Sequence, residues 1–268
     1  MKTIRQWICL LLALGVLLTV LAGCNQAKPV SFSVIAELNT EEFRVAFRKD
    51  DPLCSIVTAA MKELSAEGQL SRLSAQYPGG DYSCMEALPE ATRILETEIQ
   101  PGRKLRVGIQ DGVAPLSSSR DDGSFYGLIP DLAELIAAKL GWSFEYMVIN
   151  SDNVAAELGS GNIDCAWMAA SFVESEETCS LSPGWLRNSH ELVVREGSGI
   201  NRKKHLKGKV LAVTDATSLA ALKSAGLLDD KLKNTLWTYG DLISCFNALA
   251  AGDCDALVID SIVENYYM

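Results

Sequence analysis

The fold of this chain is decided by residues 41–52, which read EEFRVAFRKDDP, and by the helical run that follows them. Apolar side chains occupy every second position from Phe43 to Phe47, a pattern that predicts a β-strand. Asp51 and Pro52 predict a helix start, because a carboxylate caps free backbone N–H groups and proline loses no hydrogen bond at the first helical position. Apolar residues then recur at helical spacing from Leu53 to Leu64. We therefore predict a strand that leads directly into a helix.

The composition places the chain among ordinary globular proteins. It has 268 residues, of which 48% are hydrophobic and 22% charged, so it is long enough for one large or two small domains. Its formal net charge is -10. This charge argues against a nucleic-acid partner, which would require a basic surface.

Residues 1–23 have the pattern of a secretory signal peptide. Lys2 and Arg5 precede an apolar run from Ile8 to Val20, and such a run after a basic start is typical of export signals. The ending Leu21-Ala22-Gly23-Cys24 resembles a lipobox, which predicts cleavage before Cys24, a lipid on its thiol and a tether over residues 24–30. A plain signal peptide and an uncleaved membrane helix are the alternatives, although the run is short for a full span. We expect a lipid-anchored protein on the extracytoplasmic face of the cell membrane, in the periplasm or at the cell surface.

Six further cysteines fit export to an oxidising compartment. They are Cys54, Cys84, Cys165, Cys179, Cys245 and Cys254. An even number predicts disulfides, with 15 pairings open; we favour the sequence-local pairs Cys54–Cys84, Cys165–Cys179 and Cys245–Cys254. No CxxC is present and the chain has two histidines, so we predict neither a metal site nor a cofactor.

Strand and helix patterns alternate from Arg103 onward. Leu105–Ile109 and Lys209–Val213 predict strands, and Gly127–Leu140 predicts a helix. Nearer the start, Ser31–Ile35 predicts a strand, followed by a link through residues 38–40. Alternation of this kind predicts an α/β fold with mainly parallel sheets.

Six segments after residue 103 carry a resemblance to a known family. They are Val107–Leu116, Gly127–Leu132, Gly161–Asp164, Leu181–Trp185, Lys207–Ser218 and Gly252–Ser261. The last reads GDCDALVIDS and is similar to the family's Gly-x-x-Asp-Ala-x-x-x-Asp strand. In this order the segments resemble the extracellular solute-binding proteins of family 3, the polar-amino-acid binders of ABC transporters. The resemblance implies a two-lobed fold of the type II periplasmic-binding-protein kind, with a ligand cleft between the lobes.

The opening stretch resembles the last segment of that family, although it comes first here. We therefore expect a circular permutation, in which a linker over residues 85–102 joins the family's usual termini. Lobe one then holds residues 47–84 and 103–193, and lobe two holds residues 194–268 together with a hinge segment over 31–46. The two hinge crossings are expected near Arg44–Phe47 and Leu192–Arg195. A remnant of a tandem pair is the alternative, but it predicts duplicated segments, and the sequence has none.

The resemblance also implies a set of ligand-binding residues. Asp260 matches the carboxylate that accepts the ligand's ammonium group, with a helix cap as its other role. Thr217 and Ser218 match the paired threonines at a helix start, where free N–H groups and hydroxyls suit a polar acceptor. The remaining candidates are Ser171, Trp185, Leu116, Gln110 and Ser151.

The sequence departs from the family where the ligand's carboxylate is bound. The family uses an arginine five residues beyond the position of Ser171, where this chain has Glu176, or Ser175 if one deletion shifts the frame. No Lys or Arg occurs between Lys139 and Arg187, and a bidentate arginine fork has no substitute in glutamate. The ligand is therefore expected to be a small amino-acid-like or amine-bearing polar solute, and the missing arginine argues against a standard free α-amino acid.

The leading hypothesis is the substrate-binding component of an ABC importer. Under this hypothesis we expect a monomer that is not an enzyme and whose partners are the permease subunits of the importer. One alternative is a periplasmic dehydratase of the cyclohexadienyl type, with Glu176 as general acid. Another is a ligand-sensing binding protein without its own transporter.

Overall fold

The computed structural model describes residues 30–87, 99–167 and 177–268. The predicted signal sequence, the lipidation site Cys24, Ser171 and Glu176 lie outside these ranges. None of the helices in the described part of the chain is long and apolar enough to span a membrane.

The opening stretch forms two strands rather than one. Strand β1 spans Phe32–Phe43 and β2 spans Val45–Arg48, with the break at Arg44. The predicted link through residues 38–40 is wrong, because these residues belong to β1 and pair with the later strand over Leu186–Arg195. Register shifts on either side of Ala36 and Glu37 accommodate the polar residues within this strand.

The predicted helix start at Asp51 is confirmed by a hydrogen bond. The Leu53 N–H donates to Asp51 Oδ1 over 2.9 Å, which satisfies one of the N–H groups left free at a helix start. Helix α1 spans Leu53–Ala66 and α2 spans Gln69–Ser74. Gly68 separates them with a left-handed backbone, at φ 67°.

The remaining elements alternate as predicted. From 99 to 167 they are β3 (Lys104–Ile109), β4 (Ser118–Ser119), β5 (Phe125–Tyr126), α3 (Leu128–Leu140), β6 (Ser143–Val148), a 3₁₀ turn (Ser151–Asn153), α4 (Val154–Ser160) and β7 (Cys165–Trp167). From 177 onward they are β8 (Cys179–Leu181), β9 (Leu186–Arg195), a 3₁₀ turn (Lys203–Leu206), β10 (Val210–Val213), α5 (Ala216–Ser224), β11 (Thr235–Thr238), α6 (Leu242–Ala251), β12 (Ala256–Asp260) and α7 (Ser261–Tyr267).

Two five-stranded sheets organise residues Phe32–Met268, which form one compact unit. The first sheet has the order β6-β3-β7-β2-β8 and the second β1-β9-β12-β10-β11. Strands β3, β6 and β7 are parallel in the first sheet, as are β10, β11 and β12 in the second. The expected α/β fold is thus confirmed. The expectation of mainly parallel sheets is wrong, because β2 pairs antiparallel with β7 and β8, and β9 pairs antiparallel with β1 and β12.

The chain passes between the sheets at two adjacent points. One is the break at Arg44, and the other is the short segment Ser182–Trp185 between β8 and β9. Hydrogen bonds join the two passages: Ser182 N–H donates to Val45 O over 2.9 Å, and Trp185 N–H donates to Phe43 O over 3.0 Å. The second passage therefore lies before Leu192–Arg195, where the sequence had placed it, because β9 already belongs to the second sheet from Leu186 onward.

The predicted disulfides are not formed, since all six cysteines are free thiols. For Cys165 and Cys179 the reason is topological. They lie on β7 and β8, on opposite sides of β2. Strands two apart in a sheet are separated by about 9–10 Å, whereas a disulfide needs Cα atoms within about 7 Å of each other. Burial also raises the pKa of Cys165 and of Cys245 to about 12, which disfavours the reactive thiolates.

Candidate functional site

A cleft of about 460 Å³ lies between the two sheets. From the first sheet it is lined by residues 110–113 and 148–152, and from the second by residues 214–218, 240–242 and 259–263 in part. Each of these segments sits at or just beyond the carboxyl end of a parallel strand. Ligands of open α/β sheets bind at this edge, so the topology itself selects the cleft as the candidate site.

The charge of the cleft is one-sided. Its lining includes five carboxylates, and none of its lining residues is a lysine or an arginine. The carboxylates belong to Asp111, Asp152, Asp215, Asp241 and Asp260. Residues 168–176, which lie outside the described ranges, read MAASFVESE and contain no Lys or Arg.

Two of these carboxylates cap helices of the second lobe. Asp215 Oδ1 accepts hydrogen bonds from Ser218 N–H over 2.7 Å and from the Thr217 hydroxyl over 2.7 Å. Asp241 accepts from Ser244 N–H over 2.8 Å and from its hydroxyl over 2.7 Å. The bonds from Ser244 hold the pKa of Asp241 below its usual range, so this carboxylate stays negative at neutral pH.

A third carboxylate is fixed by the loop after β3. Asp111 accepts hydrogen bonds from the hydroxyl and the N–H of Ser119 and from Gly112 N–H, each over 2.7 Å. The bond from the Ser119 hydroxyl is the main reason that the pKa of Asp111 is lowered. The first lobe therefore also presents a permanent negative charge to the cleft.

Asp260 lies at the end of β12 and differs from the other four. Its side chain is 14% exposed, and no ion pair with a Lys or Arg is present among the described residues. The amide of Asn188 donates to Asp260 Oδ1 and to Glu41 Oε1. Burial, followed by the charges of Asp215 and Glu41, raises the pKa of Asp260 well above its usual value. Asp260 is therefore a carboxylate that a bound cation would stabilise in its ionised form.

His190 packs beside Asp260 and is 1% exposed. Its Nδ1 lies 3.0 Å from Asn39 Oδ1 and 3.7 Å from Glu41 Oε2. Its Nε2 lies 3.7 Å from Asp260 Oδ1 and has no hydrogen-bond partner in the described part of the chain. A buried nitrogen without a partner is unusual and costs free energy.

Four of the predicted ligand-binding residues line the cleft. They are Gln110, Ser151, Ser218 and Asp260. Thr217 is buried next to the cleft, and its hydroxyl is engaged by Asp215. The N–H group of Ser218, predicted to bind a polar ligand group, is engaged by the same carboxylate.

The predicted contacts of Leu116 and Trp185 are corrected by the structure. Leu116 is fully buried and Trp185 is 3% exposed, and both pack in the hydrophobic core. Neither lines the cleft, so neither offers a stacking surface to a ligand. Trp167 is also buried in this core.

Four acidic residues of the cleft were missed at the level of sequence: Asp111, Asp152, Asp215 and Asp241. For two of them the sequence contains a pattern that predicts their position. Both Asp215 and Asp241 follow a strand and precede a serine three positions on, which is the spacing of a helix cap. Caps that follow parallel strands collect at the carboxyl edge of the sheet, where the cleft lies.

The comparisons with known proteins agree with this arrangement. The model of the bacterial extracellular solute-binding proteins, family 3, matches residues 105–238. Among curated proteins the chain has no match.

Three solved structures are similar to this one. The substrate-binding protein of an ABC uptake transporter from Streptococcus pneumoniae, with bound histidine, is 25% identical at a TM-score of 0.55 and covers 64% of this chain and 70% of its own. An ancestral arginine-binding protein bound to arginine is 26% identical at a TM-score of 0.55 and covers 63% and 74%. An ancestral amino acid-binding protein, a precursor of cyclohexadienyl dehydratase, is 24% identical at a TM-score of 0.54 and covers 61% and 73%; this likeness shows the fold alone.

Proposed function

The chain belongs to family 3 of the bacterial extracellular solute-binding proteins, and on this premise we propose that it captures a small amine-bearing solute between its two lobes. It does so as the lipid-anchored binding component of an ABC importer. The solved relatives support this role, since one is the binding protein of an uptake transporter. The signal sequence and Cys24 support the anchor.

Asp260 is the observation that carries the proposal. Its carboxylate reaches the cleft, lacks a Lys or Arg partner among the described residues and is destabilised as an anion by burial and by two neighbouring acids. Burying a carboxylate without a cationic partner is costly. An ammonium group bound from the cleft would reduce this cost, so the cleft favours a cation.

A thermal-shift screen tests this proposal. With amines, amino acids, peptides and organic acids as probes, we expect amines to raise the melting temperature. At a concentration of 100 Kd, binding stabilises by about 2.7 kcal/mol, which corresponds to a shift of roughly 5–10 °C in a domain of this size. If organic acids alone shift the transition, the amine proposal is wrong.

A catalytic role is not proposed. The substrates of a cyclohexadienyl dehydratase are carboxylates, and the described lining of the cleft offers them no basic side chain. Glu176, the hypothetical general acid, lies outside the described residues.

We also propose that the chain is a circular permutant of its family. Strand β1 lies in the second sheet and β2 in the first, so the N-terminal region contributes to both lobes. The C-terminal end and the start of β1 are neighbours, because Phe246 contacts both Phe32, at 5.3 Å between ring centroids, and Tyr267, at 5.5 Å. Residues 103–268 make up 62% of the chain, close to the share that the similar structures cover.

A rearranged chain tests the permutation. It starts at Arg103, runs to Met268, continues through a six-residue Gly/Ser linker and ends with residues 32–87. Because the linker reaches about 20 Å and loop closure depends weakly on length, we expect a melting temperature within a few degrees of the parent and the same amine affinity. The matched control carries the same linker inserted into the turn at Asp121–Gly123, in the parental order. Failure of the rearranged chain to fold, with a folded control, would contradict the proposal.

A further inference from the structure

The cleft carries more negative charge than one ammonium group can balance. Its five carboxylates come from both lobes, two from the first and three from the second. Those of Asp111, Asp215 and Asp241 are held in place by hydrogen bonds from neighbouring backbone and hydroxyl groups. These charges persist whether or not the cleft is occupied, so a ligand with a single positive charge would leave most of them uncompensated.

The described lining of this cleft offers no basic side chain to a carboxylate on the ligand. The start of α5 is where free N–H groups would receive it, but the Ser218 N–H already donates to Asp215 Oδ1. The start of α6 is capped by Asp241 in the same way. Asp215 and Asp241 therefore place carboxylates at the two helix starts beside the cleft, where they would repel a ligand carboxylate.

The remaining surface of the cleft suits alkyl chains. Between the carboxylates lie six aliphatic side chains: Val113, Val148, Ile149, Leu242, Ile259 and Val263. A volume of about 460 Å³ also exceeds what a single metal ion or ammonium ion needs. Methylene segments would cover the aliphatic surface while charged ends reach the carboxylates.

His190 gives an independent indication beside Asp260. Its Nε2 is buried, lies 3.7 Å from Asp260 Oδ1 and has no hydrogen-bond partner among the described residues. An ammonium group carries three N–H donors, so one bound on Asp260 adds hydrogen-bonding groups beside this nitrogen.

From these observations we propose that the cleft selects a linear organic cation with two or more amino groups and no carboxylate, that is, a diamine or polyamine. The proposal rests on the function proposed above and names the class of solute within it. Such a solute differs from the amino acids bound in the similar solved structures, because it has no carboxylate and carries a second cationic group.

Matched pairs of probes test the proposal by isothermal titration calorimetry. Cadaverine and lysine differ by one carboxylate, as do agmatine and arginine, and pentylamine lacks the second amino group of cadaverine. We expect cadaverine and agmatine to bind at least 10-fold more tightly than lysine, arginine and pentylamine, and more tightly than calcium or magnesium ions. Lysine or arginine binding as tightly as its decarboxylated partner would overturn this inference and leave the proposed function standing. Binding of none of the amines or amino acids would overturn both.

The variant Asp152→Asn tests the role of the second cation. Asp152 lies on the first lobe's side of the cleft, is exposed, and its carboxylate makes no bond or ion pair within the described residues. We expect a loss of at least fivefold in cadaverine affinity, a change below twofold for pentylamine and an unchanged melting temperature. Asp121→Asn, which removes the same charge from an exposed turn outside the cleft, is the matched control. Equal losses for cadaverine and pentylamine would overturn the assignment of a second ammonium site.

Discussion

Replacing Asp260 with asparagine is expected to weaken amine binding by at least 100-fold and, at the same time, to stabilise the ligand-free protein. A 100-fold loss corresponds to about 2.7 kcal/mol, in the range for losing one partner of a buried charged pair, about 2–5 kcal/mol. The amide is isosteric and its oxygen can still accept the hydrogen bond from Asn188. The variant therefore removes the charge and keeps the local packing.

The loss of affinity and the gain of stability in Asp260→Asn have the same cause, the negative charge of Asp260. In the free protein the Asp260 anion is disfavoured by burial and by the charges of Asp215 and Glu41, so neutralising it relieves repulsion. In the complex the same anion is the ammonium's partner, so neutralising it removes the attraction. A residue that costs stability and gives affinity is typical of a binding site.

The pH dependence follows from the raised pKa of Asp260. Its folded pKa lies above its unfolded value of about 4, so its contribution to stability is fully present below that value and is lost as the pH rises through the folded pKa. The melting temperature of Asp260→Asn should thus exceed that of the parent by an amount that increases with pH. Amine affinity of the parent should increase over the same pH range, because binding favours the ionised form and releases a proton.

Calorimetry in buffers of different ionisation enthalpy measures that proton directly. The tightest amine from the thermal-shift screen is the probe, and Asp121→Asn is the control for a changed net charge. Proton release is expected for the parent and the control, and is expected to vanish for Asp260→Asn. Unchanged affinity in Asp260→Asn would show that Asp260 does not contact the ligand, and a lowered melting temperature would show that its charge serves the fold.

Local patterns predicted the elements that carry the site. The strand ending in Asp260 and the helix cap at Asp51 were readable because both depend on residues within one or two turns of chain. The placement of the cleft also follows from local order, since strands alternating with helices put their carboxyl ends on one edge. The acid at position 260 itself was singled out by the resemblance of residues 252–261 to the family's strand, and local patterns alone would not have distinguished it from the other acids.

Features that depend on distant partners were predicted less well. Residues 38–40 look like a loop until β9 pairs with them. Leu116 and Trp185 stand next to cleft segments in sequence, but packing turns their side chains into the core. The pair Cys165–Cys179 is close in sequence, yet β2 comes between the two strands that carry it. In each case the deciding neighbour lies far away along the chain.

Replacing Gly127 with alanine is expected to produce the largest loss of stability among single substitutions outside the core. Gly127 precedes α3 and has φ 121° and ψ 177°, a region that only glycine adopts readily. A Cβ atom there would lie 2.6 Å from Leu116 O and 2.7 Å from Pro115 O. Both are backbone atoms, so relief requires the loop itself to move.

The strain and the clash act together. Backbone strain costs about 1–3 kcal/mol, and forcing packed groups apart costs about 1–3 kcal/mol more. We expect a loss of at least about 3 kcal/mol, which lowers the melting temperature by roughly 10 °C in a domain of this size. Denaturant unfolding, with the slope compared to the parent, measures the free energy independently.

The same substitution reaches the binding site through the loop it displaces. Leu128 N–H donates to Pro115 O and Ile129 N–H to Leu116 O, each over 3.0 Å. These bonds fix the end of the loop that starts at Gln110 and carries Asp111 into the cleft. A shifted loop would move one of the fixed charges, so Gly127→Ala should also weaken amine binding at temperatures where the variant is folded.

Gly141→Ala is the matched control at the other end of α3. Gly141 also has a positive φ, 66°, but a Cβ there meets nothing within 4 Å. The control should lose only about 1–2 kcal/mol, the cost of a left-handed backbone for an L-residue, and should bind amines as the parent does. If both variants lose the same stability and both keep their affinity for amines, the close contact between Gly127 and the loop neither stabilises the fold nor positions the binding site.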